Sequence, residues 1–241
     1  TTKKRLTITA VLSSKNSKIE QAEKDLLALK VEFSKNGNSI SVVNYVQINS
    51  SDPKPTSNLK VIYTIEVPIS SSPNIKVNND FGKINSIGIK GDFTIESKFC
   101  IVSLTKHSGA IKLKDNFSMI DLNQINGDLV LKLERSALSI TDQIGELEIK
   151  SSFSKLELTN LQPTSIVKII DKHSQIDITQ LCFECYTYNF NLEKSDLSVP
   201  NGVKPYYISN QLNQKVGVIR GSKSLTKTID LASTSGIITL K

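Results

Sequence analysis

The chain has 241 residues and a formal net charge of +7, and it contains no tryptophan. Apolar residues alternate with serine, asparagine, threonine and lysine, which is typical of many short strands joined by polar turns. The sequence has no apolar run of about eighteen residues, which excludes a membrane-spanning helix, and no block of about five like charges, which argues against a nucleic-acid surface. We expect the scattered lysines to point outward and keep the strand surfaces soluble.

The first part of the chain predicts a strand and then a helix. Residues 5–12 alternate apolar and polar side chains, as a half-buried strand does. A short helix is expected from about 18 to 27, with Ile19, Ala22, Leu26 and Leu27 on its apolar face. Ser17 is the expected N-cap, because Glu20 follows at the capping-box spacing.

The next elements predict a hairpin and a returning strand. Asn36-Gly37 is a strong hairpin-turn signal between apolar, period-two segments. A further strand is expected over 60–69, after a proline-containing loop. We expect residues 1–69 to form an irregular portion that covers one end of the repetitive domain.

From residue 70 the sequence repeats about every eighteen residues. Turn glycines lie at Gly91, Gly109, Gly127 and Gly145, small residues at Gly82, Cys100, Ser118, Ser136 and Ser154, and aromatic residues at Phe81, Phe99, Phe117 and Phe153. Apolar pairs at i and i+2 occur twice in each repeat, as in Phe93/Ile95 and Val102/Leu104. This pattern predicts an all-β fold, a single-chain β-solenoid over 70–241. Each rung, meaning one turn of the solenoid, would contain two short strands in about 18–21 residues.

After Leu158 the repeat becomes longer and less regular. First strands are expected at Val167/Ile169, Tyr188/Phe190, Tyr207 with Ile208, and Ile229/Leu231, and second strands at Ile176/Ile178, Leu197/Val199, Val216/Val218 and Ile238/Leu240. Stacked in chain order, these rungs end at Lys241. We therefore expect residues 229–241 to be an exposed terminal rung whose edge can pair with a second copy of the chain.

The hexapeptide β-helix of acyltransferases is the main alternative architecture. That fold needs an aliphatic residue about every six positions. Here the apolar residues recur about every nine, as at Ile84, Phe93 and Val102. This spacing argues against the alternative.

Cys182 and Cys185 form a CxxC motif, which suits a redox pair, half of a zinc site or a local disulfide. A redox centre needs a helix N-terminus to lower the thiol pKa, but this segment lies between predicted strands. A zinc site would need further ligands, and Cys100 already belongs to the small-residue column. We favour neither metal nor redox chemistry, and the disulfide stays open.

The two histidines have structural interpretations. His107 is placed in a turn beside Ser108, and His173 continues the aromatic column, where ring stacking is favoured over catalysis. A Ser-His-Asp triad that includes Asp171 remains an alternative, although no nucleophile-elbow sequence accompanies it.

Asp92, Asp128 and Glu146 follow turn glycines at matching positions of the repeat. Such a column suits acid–base work on a polysaccharide or calcium binding, but repeated carboxylates in repeated turns favour turn chemistry. The outward aromatic residues that we expect, Tyr186 and Tyr206, are too few to form sugar platforms. We therefore predict no catalytic, cofactor-binding or metal-binding residues.

The segment VPISSSPNIKVNNDFGKI (67–84), and the rungs of the type Gly-x-Leu-x-Ile and Phe-Ser-x-Leu-x-Ile after it, resemble the adhesin-type β-solenoid domains of unknown function from Gram-negative cell envelopes. The stretch SKIEQAEKDLLALKVEFSKNGNSISV (17–42) is similar to their helix-and-hairpin insertion. Arg135 and Lys194 depart from the aromatic column of that family. The resemblance implies an exported protein of the periplasm or cell surface. We interpret the start at Thr1, without methionine, as a trimmed or mature form.

Fold and resemblance together predict a non-enzymatic binding module without a cofactor. Its partner would be a glycan or a cell-envelope protein, held at many points by ladders of lysine, serine, threonine and asparagine. One alternative is a carbohydrate-active β-helix enzyme with a carboxylate-lined cleft. The other is a structural envelope protein that self-associates through its terminal rung.

Overall fold

The computed structural model describes residues 5–48, 53–162, 166–180, 183–221 and 227–241. Strands account for 66% of it and helix for 4%, which confirms the all-β prediction. The chain divides into two compact units, Thr1–Ile69 and Ser70–Lys241.

The first unit consists of two antiparallel strand pairs and a helix. Its elements are β1 (Thr7–Lys15), α1 (Ile19–Ala28), β2 (Leu29–Asn36), β3 (Ser39–Val46) and β4 (Asn58–Glu66). β1 pairs with β4, and β2 pairs with β3. The predicted hairpin is confirmed, with its tight turn at residues 37–38, where Gly37 takes the left-handed conformation (φ +58°) that glycine adopts without steric cost.

The helix differs from its predicted form at both its cap and its buried face. Lys18 is the N-cap and makes no side-chain capping bond, so the capping box expected at Ser17 is wrong. Ile19 and Leu27 are 76% and 75% exposed, so they do not form an apolar face with the half-buried Leu26.

The side chain that α1 buries is Asp25, which is 4% exposed. Its carboxyl group accepts hydrogen bonds from the Ser57 hydroxyl at 2.6 Å and from the backbone N–H groups of Ser57 and Thr56 at 2.9 and 3.0 Å. The Ser57 hydroxyl bond is the main cause of a lowered pKa at Asp25. Asp25 therefore fastens the segment before β4 to the helix.

The second unit contains the remaining strands. In chain order they are β5 (Ile75–Asn79), β6 (Gly82–Ile87), β7 (Phe93–Lys98), β8 (Cys100–Ser108), β9 (Ile111–Asn116), β10 (Met119–Asn126), β11 (Leu129–Glu134), β12 (Ala137–Ile144), β13 (Leu147–Ser152), β14 (Lys155–Gln162), β15 (Ile166–Lys172), β16 (Gln175–Thr179), β17 (Thr187–Glu193), β18 (Asp196–Ser198), β19 (Tyr206–Gln211), β20 (Gln214–Ile219), β21 (Thr228–Thr234) and β22 (Ile237–Leu240). Over the described residues they form a first sheet in the order β19-β20-β17-β21-β15-β13-β11-β9-β7-β5 and a second sheet in the order β18-β22-β16-β14-β12-β10-β8-β6.

The core lies between these two sheets and is the predicted one. Equivalent apolar residues pair in register from rung to rung, as Leu129 does with Leu147 and Leu131 with Ile149. These four side chains are at most 1% exposed. Parallel pairing about 4.8 Å apart stacks like on like, and no single rung could bury these residues alone.

The turn glycines let the corners of successive rungs pack backbone to backbone. A Cβ atom on Gly109 would lie 2.3 Å from the carbonyl oxygen of Gly91, and one on Gly127 would lie 2.1 Å from that of Gly109. Neither distance leaves room for a side chain, so the repeated glycine follows from close approach.

The opposite corner is held by a ladder of buried serines. The hydroxyl oxygen of each serine accepts the backbone N–H of the equivalent residue one rung earlier, and the successive distances from Cys100 N–H to Ser118, Ser118 to Ser136, Ser136 to Ser154, and Ser154 to Ser174 are 2.8, 3.4, 3.2 and 2.9 Å. The small-residue column of the sequence is therefore a hydrogen-bonded column, which we call the serine ladder.

The C-terminal rung lies inside the stack, so the prediction of an exposed terminal rung at 229–241 is wrong. β21 pairs with both β15 and β17, and β22 pairs with both β16 and β18. The inward residues Ile229, Leu231, Ile238 and Leu240 are 0–3% exposed. The outer strands at this end are β18 and β19 instead.

Residues 206–219 form a hairpin and not the predicted rung. β19 pairs antiparallel with β20, and β20 pairs antiparallel with β17. Tyr207 and Ile208, which were expected to point inward, are 39% and 71% exposed. The hairpin extends the first sheet without adding a strand to the second.

A buried carboxyl group favours the inserted position of the C-terminal rung. Asp171 is 4% exposed and accepts hydrogen bonds from the Ser151 hydroxyl at 2.8 Å and from the Ser233 hydroxyl at 3.2 Å. Leu192 is the residue of β17 that pairs with Ser233. Stacking in chain order would therefore place leucine beside Asp171 and remove a hydrogen-bond donor from a buried carboxyl group, which is costly.

Candidate binding faces

The outer face of the first sheet carries a group of exposed lysines that we call the lysine strip. Its members are Lys112 and Lys114 on β9, Lys132 on β11, Lys150 on β13 and Lys168 on β15. Lys114, Lys132 and Lys150 pair in direct register. Their backbones are therefore about 4.8 Å apart along the stack.

One glutamate lies within the strip. Glu148 stands between Val130 and Lys168 in the column beside the lysines. Its carboxylate is 2.9 Å from the Lys150 ammonium. That bond, and then the charges of Lys150, Lys168 and Lys132, lower the pKa of Glu148. Glu96 on β7 pairs with Lys114, and Asp230 on β21 pairs with Lys168, so a carboxylate also adjoins each end of the strip. The five lysines outnumber these three carboxylates, which leaves the strip positively charged.

Two of the outward columns of the second sheet carry hydroxyl, amide and carboxylate groups, and a third carries Lys83, Ile101, Met119, Ala137 and Lys155. One column contains Ser103, Asp121, Ser139, Glu157 and Asp177, and the next contains Thr105, Asn123, Thr141, Thr159 and Thr179. The hydroxyl oxygens of Thr159 and Thr179 are 2.9 Å apart and hydrogen-bonded. The two outer faces therefore differ in charge.

The aromatic column runs along a corner and is half exposed. Phe81 stacks on Phe99 with a centroid distance of 5.4 Å, and Phe99 stacks on Phe117 at 5.0 Å. The Arg135 guanidinium lies between the rings of Phe117 and Phe153, at 5.5 and 5.2 Å from their centroids. These residues face one another and expose their edges, so they contribute more to the stack than to a flat sugar platform.

The outward tyrosines fit the prediction only in part. Tyr206 is 67% exposed, as expected, but Tyr186 is 7% exposed and packs edge-on against the buried Tyr188 at 6.4 Å. The expectation that Tyr186 points outward is therefore wrong.

The carboxylates that follow the turn glycines act as hydrogen-bond acceptors between rungs. Asp92 accepts the backbone N–H of Ala110 at 3.1 Å, and Asp128 accepts that of Glu146 at 2.9 Å. This geometry agrees with the interpretation of Asp92 and Asp128 as turn residues.

His173 and Asp171 are not joined in a triad by the contacts described. His173 stacks on Phe153 with a centroid distance of 4.9 Å, as predicted, whereas Asp171 points into the core and bonds to serine hydroxyls. His107 is not in a turn: it is part of β8, is 1% exposed and stacks on Phe93 at 5.4 Å.

The cysteines show one buried free thiol. Cys100 is 3% exposed in the serine ladder, and its thiol lies 3.1 Å from the Lys98 carbonyl oxygen. Burial raises the pKa of Cys100, which makes it a poor nucleophile. Cys185 is disulfide-bonded, and Cys182 lies outside the described residues. Over the described ranges, no cluster of three or more histidine, cysteine or acidic residues is arranged to hold a metal ion.

A shallow groove of about 320 Å³ adjoins the end of the lysine strip. Its lining includes Lys168, Ile170, Asn191, Ile208 and Ala232, from β15, β17, β19 and β21. The hairpin of β19 and β20 therefore borders the outer face of the first sheet where the lysines end.

The lysine strip is one of the ladders that the sequence predicted, but the sequence alone did not identify its members as one group. The signal was present, since Lys114, Lys132 and Lys150 are eighteen residues apart. Lysines read along the chain look isolated, and only the parallel register brings them together.

No protein-family model, curated protein or solved structure matches this chain. The resemblance to adhesin-type domains therefore stays a prediction, whereas the β-solenoid that it implied is present. In the part of the chain that the structure describes, no helix has the length and apolar character needed to cross a membrane.

Proposed function

We propose that the chain is a non-enzymatic, exported binding module that holds a glycan or a cell-envelope protein against the outer faces of its solenoid. The observation that carries the proposal is the in-register array of polar side chains on the outer faces of both sheets. It is exemplified by the exposed Lys114, Lys132 and Lys150 on one sheet and by the half-buried Thr141, Thr159 and Thr179 on the other. The backbone that carries this array is fixed before the partner arrives, so little backbone ordering entropy is lost on binding.

A binding role is favoured over hydrolysis by the carboxylates. Asp92 and Asp128 already accept backbone N–H groups of the next rung, so their carboxylates serve the turns and are not free to act on a bound sugar. Export and a place in the cell envelope enter this proposal through the sequence resemblance alone.

A glycan-array screen of the purified chain, read beside reducing-sugar release from every hit, tests the proposal. We expect binding without product. Product release would contradict a non-enzymatic role and direct mutagenesis to Asp92, Asp128 and Glu146. An array without any hit would contradict the glycan form of the proposal and leave an envelope protein as the partner to seek by cross-linking on whole cells.

A further inference from the structure

We propose that the lysine strip binds an acidic polysaccharide that lies along the stack, with its anionic groups against successive rungs. This inference rests on the proposed binding function and specifies its ligand class and the face that it uses. The outer face of the second sheet is less favourable for the same polymer, because it carries Asp121, Glu157 and Asp177 and because Lys155 is already paired with Glu157 at 2.6 Å.

The repeat of the strip suits a linear polyanion. Lys114, Lys132 and Lys150 advance by one rung each, about 4.8 Å, which is comparable with the advance of one sugar unit in an extended pyranose chain. Lys112 and Lys168 lie in the neighbouring column, so charges that project alternately to either side of the polymer also find a partner. All five lysines are exposed, so each ammonium group can reach an anion without first being buried away from water.

Hydrogen-bonding groups border the lysines. Asn116, Glu134 and Ser152 occupy the third outward column of the same sheet and are half-buried. The Glu134 carboxylate lies 2.6 Å from the Arg135 guanidinium, which offsets its charge. Amide and hydroxyl side chains at this border suit the hydroxyl groups of a sugar.

The strip suits a polysaccharide better than a nucleic acid. Among the described outward residues of β7, β9, β11, β13 and β15, none is aromatic, so bases would find no stacking surface.

Two triple variants with the same charge test the inference. The first removes the strip with Lys114→Gln, Lys132→Gln and Lys150→Gln. The control carries Lys83→Gln, Lys106→Gln and Lys155→Gln on β6, β8 and β14 of the second sheet. Glutamine suits position 106, because Gln124 already has the same left-handed conformation one rung later.

The probes are polygalacturonate, its methyl ester and double-stranded DNA, with affinity measured by calorimetry at about 50 and about 200 mM salt. We expect the unmodified chain to bind polygalacturonate more tightly than either other probe, and less tightly at the higher salt. The strip variant should bind about tenfold more weakly, since each exposed ion pair contributes a few-fold. The control should stay within about twofold. Melting temperatures close to that of the unmodified chain would show that both variants are folded.

Two results would overturn the inference while leaving the proposed function intact. One is an equal loss of affinity in the two variants, and the other is glycan binding that changes neither with methyl esterification nor with removal of the strip. DNA binding as tight as polygalacturonate binding would also overturn it, because the strip would then recognise charge alone. Failure of polygalacturonate and of every acidic glycan on the array would overturn it as well. A screen without any glycan or envelope-protein partner would instead remove the proposed function itself.

Discussion

His107 is a titratable ring held inside an apolar column of the solenoid. It pairs in register with Ile125, and the same column continues through Gln143 to Leu161. Neither ring nitrogen has a hydrogen-bond partner among the described residues. Burial lowers the pKa of His107, because the charged ring would lose its hydration without gaining a partner.

This environment predicts a pH-dependent stability. In the unfolded chain the histidine pKa is about 6.5. Below that pH, His107 is protonated in the unfolded state and stays neutral in the folded state until its lower pKa is reached. The free energy of unfolding should therefore fall as the pH drops through about 6.5 toward the lower pKa of the folded state. Thermal unfolding at pH 7.5 and 5.5 measures this loss, and His107→Leu, which copies Leu161, should reduce it.

His173 supplies the control, since the chain has only two histidines. It stacks on Phe153 at an exposed corner, and His173→Phe extends the aromatic column without touching the core. This variant should keep the pH dependence. An unchanged slope in His107→Leu would refute the assignment to His107.

The serine ladder shows how one element combines two kinds of hydrogen bond. Ser154 donates to the Ser152 carbonyl oxygen at 2.8 Å, which is a neutral contact. Ser136 lies 2.7 Å from a carboxyl oxygen of Asp115, a residue that is 1% exposed and also receives the Ser97 hydroxyl at 2.5 Å. Ser136 and Ser154 are equally buried, at 4% and 7% exposed, but only Ser136 serves a carboxyl group.

Truncation of these two serines should therefore differ in cost. Ser136→Ala leaves a buried carboxylate short of a donor and should lower the free energy of unfolding by about 2–3 kcal/mol, whereas Ser154→Ala should cost about 1 kcal/mol. Urea unfolding of both variants measures the difference. Equal costs would show that the Asp115 contact contributes nothing beyond the ladder itself.

The regular rungs were predictable because their signals are local. A glycine needed for close approach, a small residue at a corner and two apolar pairs recur at fixed spacing. The positions of Gly127 and Leu131 in the rung can therefore be predicted without knowing which strand is the partner. The spacing of Lys114, Lys132 and Lys150 could be seen in the sequence for the same reason. What the spacing could not supply was a distinction between equivalent partners.

The misplaced elements share that cause. The pairs Ile229/Leu231 and Tyr188/Phe190 fit the core pattern equally well. The periodicity therefore does not predict which of the two strands lies next to β15. The contact between Asp171 and Ser233, across 62 residues of chain, favours β21 in that place. The hairpin at β19 and β20 was misread because alternating residues predict a strand whether it closes a rung or extends an edge.

At the scale of the whole molecule, the interior position of the C-terminal rung changes what its removal should do. An exposed rung would come away without unfolding the rest, and self-association would disappear with it. An inserted rung joins β15 and β16 to β17 and β18, so deletion of 228–241 should expose apolar surface on both sides. We expect the segment 183–221 to become sensitive to protease first, because it would lose its parallel neighbours.

Two adjacent isoleucines of β22 make the sharper test. Ile238 is 0% exposed between the sheets, whereas Ile237 is 56% exposed on the outer face. Ile238→Ala should lower the free energy of unfolding by about 2–5 kcal/mol, because it leaves a cavity in an interior rung. Ile237→Ala should change it by at most about 0.5 kcal/mol. Similar small effects in both variants would mean that the rung frays like a terminal strand, and the inserted order would then be wrong. The inserted order requires a large difference between the two variants and protease cleavage of 183–221 in the deletion variant.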